Sequence, residues 1–190
     1  MSKPQLKGER PMATQATVVF LCREKEVYMG MKTDKIGVGC YTGPGGKIHT
    51  NKEGVALESI PDCASREVFE EIGVIVMPKS LDQVAIISFV NQGETPANTS
   101  VFEVYFFLTH KWLGEPIDSA EMKAGRWFPI SDLIERPTTT AKLMAADPLF
   151  LPLIFSGQKI IGECIYAPGG QKVVEDWHYE VVEDFSEFTV

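Results

Sequence analysis

Apolar positions along this chain fall into short runs broken by charged or glycine-rich punctuation, and only one long stretch repeats with a helical period. TQATVVFLC (Thr14 to Cys22) and EVYMGMK (Glu26 to Lys32) flank the charged turn REKE and predict two strands. The glycine-rich GVGCYTGPGGK that follows predicts a loop rather than a helix. QVAIISFVN and SVFEVYFFLTH predict two more strands, separated by a polar turn with Gly93 and Pro96. GRWFPI predicts a short strand running into a local helix, SDLIE. DPLFLPLIFSGQ predicts a helix with Pro148 near its start and Gly157 near its stop. KIIGECIYA and KVVEDWHYEVV predict the closing strands, joined around Pro168-Gly169-Gly170. The expected fold class is therefore mixed α/β (α+β): helices packed on a strand-rich core, in one domain over residues 13–190, behind a polar flexible tail over residues 1–12.

The helical stretch is SIPDCASREVFEEIGV. Ser59 suits the N-cap, Pro61 the first turn, Asp62 the positive end, and Gly73 the left-handed stop. Ala64, Val68 and Ile72 recur at every fourth residue, a stripe for packing on a sheet, with Phe69 expected to widen it. Glu67, Glu70 and Glu71 stand at i, i+3 and i+4, so their carboxylates share one helical face. Spacing alone admits two readings: a solvated acidic face, or an oxygen-rich site for a hard divalent cation.

Bulk properties narrow the field. A formal net charge of −8 argues against sequence-independent nucleic-acid binding, and it makes a phosphate-bearing ligand awkward unless cations offset the acids. The four cysteines fall in no metal-ligand spacing and predict reduced thiols. The amino-terminal stretch has no apolar signal core, and no apolar run approaches the ~20 residues of a membrane span. A cytoplasmic protein without membrane or nucleic-acid partners is expected, as a monomer or homodimer. His49, His110 and His178 are scattered and form no constellation, and GPGG is not followed by the GK[ST] of a Walker loop.

Taken together, Gly46-Lys47, Glu58 and REVFEEIGV resemble the Nudix box, G-x5-E-x7-R-E-U-x-E-E-x-G-U with U aliphatic, and every position from Glu58 to Val74 matches. One departure stands out. Gly46 lies twelve residues before Glu58, where the family pattern has six, so HTNKEGVAL carries extra residues that a hairpin-like excursion could absorb. Glu53 is the rival first glutamate by proximity to Gly46, but its distance to Arg66 is wrong.

The resemblance implies a hydrolase of nucleoside diphosphates linked to another group, using Mg²⁺ or Mn²⁺. It implies that Glu67, Glu70, Glu71 and the Gly46 carbonyl hold metal, that Arg66 orients the glutamates, and that catalysis draws on this same set. The likeness runs from about Thr14 to Val182 and is similar to the MutT-homologue branch acting on oxidised purine nucleoside triphosphates. By that likeness Glu121 is a further metal ligand or catalytic carboxylate, though a surface turn residue is the plainer alternative. Thr17, Lys32, Thr42, Gly45, Gly46 and Lys47 would line the substrate pocket. Phe89 would stack near the base, or simply pack in the core. Asp147 would read a purine edge, or cap the last helix. The branch's adjacent acidic pair is Ala146-Asp147 here, its pocket Asn is Thr42 and its pocket Trp is Met144, so base preference need not be conserved. Dinucleoside polyphosphates and nucleotide sugars stay open as substrates, as does a nucleotide-sensing module without turnover.

Overall fold

The computed structural model describes residues 12–34, 36–93, 98–168 and 172–188. Residues 1–11 of the expected tail over residues 1–12, Pro96, and Gly169-Gly170 of the last turn lie outside the described residues. The strands are β1 (Thr14–Arg23), β2 (Glu26–Lys32), β3 (Tyr41–Thr42), β4 (Asp82–Asn91), β5 (Ser100–Thr109), β6 (Met122–Pro129), β7 (Lys159–Tyr166) and β8 (Val174–Val182). The helices are α1 (Ile60–Ile72), α2 (Ile130–Glu135), α3 (Pro137–Thr140) and α4 (Asp147–Phe155). The strands form one mixed sheet in the order β3-β2-β1-β5-β4-β7-β8, with β6 pairing onto β2. β1 with β5 and β4 with β7 are parallel, and the other pairs are antiparallel.

Both faces of the sheet are covered, as a sheet with parallel pairs at its centre requires. On one face, Ala64, Val68 and Ile72 of α1 pack against Val19, Leu21, Ile86 and Phe107. On the other, Leu133 of α2 and Phe150, Leu151 and Ile154 of α4 pack against Phe20, Met29, Ile87 and Phe106. The α1 signals hold: the Ser59 side chain accepts the Asp62 N–H, and Gly73, at φ 71°, donates its N–H to the Phe69 carbonyl. Phe69 does not join the stripe; it is 57% exposed. It sits one residue, about 100° of helix, beyond Val68 and so faces away from the sheet. The GRWFPI strand also differs, since β6 begins earlier, at Met122, and Ile130 already belongs to α2.

The glycine loop occupies a gap in the sheet. β1 and β2 pair only over Leu21–Arg23 and then diverge. Along the freed edge of β1, Val19 N–H donates to the Pro44 carbonyl at 2.9 Å and Thr17 N–H to the Gly46 carbonyl at 2.8 Å. A Cβ on Gly45 would stand 2.0 Å from the Thr17 carbonyl oxygen, which is why only glycine lets the loop lie so flat. The extra residues after Gly46 form a small hairpin closed by the Thr50–Ala56 bridge. Its turn is held by the Asn51 carboxamide oxygen, which accepts the Glu53 and Val55 N–H groups, and Gly54 supplies a φ of 80°.

Candidate active site

α1 lays its acids beneath the glycine loop. Glu71, only 4% exposed, is held from two sides: its Oε2 accepts the Gly45 N–H at 2.9 Å and its Oε1 pairs with Lys32 Nζ at 3.2 Å. Glu67 touches the loop as well, since a Cβ on Gly46 would stand 2.4 Å from its carboxyl carbon. Burial pushes the Glu67 carboxyl up, with the Arg66 hydrogen bond pulling the other way.

Arg66 organises the rest. Its Nη1 donates to Glu67 at 2.8 Å and to Glu70 at 2.9 Å, while Nε and Nη2 grip Glu58 at 3.0 and 2.7 Å. The planar fork of a guanidinium suits this two-sided grip. The Arg66 hydrogen bonds hold the Glu58 carboxyl at about 2, well below the usual range, with the His49 backbone N–H adding to the effect. Glu53 is exposed in the inserted turn, where its N–H donates to Asn51, and it does not line the cavity. Sequence spacing placed Glu67, Glu70 and Glu71 on one face; there Glu67 and Glu70 share Arg66 Nη1, while Glu71 is held by Lys32 and the Gly45 N–H. Like charges on neighbouring turns repel, and each acid takes the nearest donor: Arg66 for Glu67 and Glu70, Lys32 and the loop for Glu71.

Above these groups a cavity of about 630 Å³ opens, with two chemically distinct ends. Arg66, Glu67, Glu70, Glu71, Lys32 and Glu121 line one end, together with Gly45, Gly46 and Lys47. Glu121 is docked to the end of β2, where its carbonyl accepts the Thr33 N–H at 3.0 Å. Phe89, Phe102, Phe106, Phe150, Met144 and Asp147 line the other end. Phe89 lies nearly parallel to Tyr166 with centroids 6.2 Å apart, and edge-on to Phe106 and Phe150, so it is both cavity wall and part of the aromatic core. Thr42 lines the wall and is 7% exposed. Thr17 lines it too, but its hydroxyl sits 3.6 Å from the Cys63 sulfur, under the loop. Lys32, expected among the substrate contacts, is at the acid end in its ion pair with Glu71.

Asp147 does not cap α4. The cap position is Ala146, and Asp147 lies in the first turn, where its Oδ2 accepts the Met144 N–H at 3.0 Å. It is 6% exposed, and burial raises its carboxyl to about 7. Two groups escaped sequence reasoning. Cys63, fully buried beside Thr17, Gly46 and Arg66, carried no recognisable spacing. Phe102 and Phe106 were legible only as strand residues, although their alternation on β5 puts both on the cavity face.

Residues 12–147 match the NUDIX domain. The chain belongs to the Nudix family. This Nudix hydrolase is 30% identical over 168 residues to the oxidized purine nucleoside triphosphate hydrolase of Danio rerio, covering 88% of this chain and 95% of that protein. Its fold is similar to that of the MutT protein from Bacillus halodurans, with a TM-score of 0.69, 20% identity, and coverage of 88% of this chain and 97% of that one. It is also similar to a MutT Nudix hydrolase from Burkholderia pseudomallei, with a TM-score of 0.56, 20% identity, and coverage of 74% and 97%. Nudix hydrolases use divalent metals, and the donor set here fits one chemically: carboxylate oxygens from one helix face a backbone segment, at Gly46, already in contact with Glu67. Among the described residues, no three His, Cys, Asp or Glu side chains are arranged to hold a metal as they stand. Among the same residues, no helix is long and apolar enough to cross a membrane.

Proposed function

We propose that this Nudix hydrolase is a Mg²⁺-dependent nucleoside triphosphate pyrophosphohydrolase that releases nucleoside monophosphate and pyrophosphate. Its substrates are purine nucleotides with an oxidised base, of which 8-oxo-dGTP is the reference case. The observation that carries this reading is the two-ended cavity: acids and backbone at one end, and an aromatic wall with one buried carboxyl at the other. Glu67, Glu70, Glu71 and the Gly46 carbonyl would hold the cation, with Glu121 facing them from the residue before β6. When bound, Mg²⁺ supplies charge neutralisation on the polyphosphate and a more acidic water.

The chain's own residues do the positioning. Arg66 fixes the carboxylates of Glu67 and Glu70 against Glu58, so the acids keep their aim while their mutual repulsion is offset. The Gly45 N–H fixes Glu71. A purine enters between the aromatic walls near Phe89 and meets Asp147 edge-on. Below about pH 7 that carboxyl is neutral, so it can donate one hydrogen bond and accept others. The substrate class in the name of the Danio rerio relative supports the same base. Pyrophosphate release from 8-oxo-dGTP, 2-oxo-dATP, dGTP and dinucleoside polyphosphates tests reaction and substrate together. Turnover of the dinucleotides alone would reject the triphosphate reading. Glu70→Gln and Glu71→Gln should each lose about 100-fold or more in kcat while staying folded; full activity in both would remove the metal-site assignment.

A further inference from the structure

Beyond the aromatic end of the cavity lies a second, more open hollow of about 750 Å³. The two share Ile36, Phe102 and Met144 as common walls, so they lie side by side. Asn91 lines this second hollow. Its side-chain nitrogen and oxygen are both shielded from solvent, and among the described residues neither has a hydrogen-bond partner. A buried amide with both ends unpaired is rare and unfavourable. A turn about its side-chain torsions toward the hollow would let it pair with any group there that both donates and accepts, water or a ligand amide alike.

The position of Asn91 says what such a group would belong to. It follows Phe89 by two residues on β4, so both side chains leave the same face, Phe89 opposite Phe102 and Asn91 opposite Ser100. Strand geometry puts its Cα about 7 Å along β4 from that of Phe89, a spacing that a short chain attached to a base stacked on Phe89 could span. Lys142 and Lys172, both exposed, line the same hollow and give it positive charge in an otherwise acidic protein.

We infer that this hydrolase accepts purine nucleotides whose base carries a polar tail, and that the tail enters the second hollow to pair with the Asn91 amide. The inference rests on the purine reading of the first cavity. A tail ending in a carboxamide matches Asn91 donor for acceptor, in a hollow that two lysines also line; an alkyl tail of the same length leaves the amide orphaned.

The experiment compares kcat/KM of the Mg²⁺-loaded protein on an untailed purine triphosphate with the same nucleotide carrying a carboxamide-ended or an alkyl tail. Each tail is placed in turn at the C2, C6 and C8 positions. At least one carboxamide isomer should exceed its alkyl counterpart by about tenfold, and Asn91→Leu should erase that ratio. Asn91→Ser, which shortens the side chain without adding apolar bulk, should erase it as well, so a folding defect in one variant does not decide the matter. Rejection of every tailed isomer while the untailed purine is cleaved, or an undiminished ratio in both variants, overturns the inference alone. Cleavage of no purine triphosphate at all overturns the base reading and this inference with it.

Discussion

Replacing Asp147 by asparagine should change the pH dependence of stability in a way the structure lets one size. The carboxyl is 6% exposed and titrates at about 7, against 3.8 for a solvated aspartate. The folded chain therefore binds this proton more tightly than the unfolded chain does. The stability this confers is fully present below pH 3.8, falls as pH rises, and is gone above about 7. At about 1.36 kcal/mol per pH unit, the loss across that window is roughly 4 kcal/mol. The substituted carboxamide would keep an oxygen for the Met144 N–H, so the hydrogen bond survives and only the charge is removed. The neighbouring groups do not titrate in the window: burial pushes the Cys164 thiol to about 12 and also raises Cys40 and Tyr166. Urea unfolding of both proteins at pH 4, 5, 6, 7 and 8 is the assay. Asp147→Asn should match the parent at pH 4 and exceed it by several kcal/mol at pH 8. A difference that stays constant across the series would refute the claim that burial governs this carboxyl.

Other outcomes follow from the same geometry. Gly45→Ala puts a methyl against the Thr17 carbonyl and should cost about 3 kcal/mol, read from thermal unfolding; an unchanged midpoint would show that the loop can lift. Arg66→Lys keeps the charge but loses the fork that joins Glu58 to Glu67 and Glu70, and should cost about 2 kcal/mol with a larger fall in kcat than in KM. The Glu58 carboxyl, held at about 2, gives stability that is present above about 4.5 and fades as pH drops toward 2; acid unfolding of Glu58→Gln should lack that portion of the transition. Replacing residues 51–55 with Asn-Gly keeps the Thr50–Ala56 closure and should shift stability by less than about 1 kcal/mol with turnover intact, whereas a collapse in kcat would give the insertion a role at the site.

Strands were legible where apolar and β-branched residues alternate between charged turns, and α1 was legible because Ser59, Pro61 and Gly73 mark its ends independently of its packing. The apolar stripe of α1 was also correct at Ala64, Val68 and Ile72, all fully buried. Phe69 was misplaced because hydrophobicity does not say which way a residue faces; the helical angle does. α3 has the sequence PTTT, with no apolar pattern, and its place is set by α2 and α4 on either side. At the site, spacing located the acids but not their partners. Lys32 reaches Glu71 from 39 residues away, a contact made by the fold and invisible to local pattern. Asn91 read as an ordinary strand end, and only its lack of hydrogen-bond partners among the described residues singles it out.

β4 divides its side chains between two jobs. Ile86 faces the α1 side, in the core that backs the acids, whereas Ile87 packs in the opposite core, Phe89 lines the aromatic end of the cavity and Asn91 lines the second hollow. If the cavity holds the base as proposed, drift at Phe89 and Asn91 retunes which bases are admitted while leaving the scaffold under the glutamates untouched. A single strand lets the enzyme change its diet without relearning its chemistry.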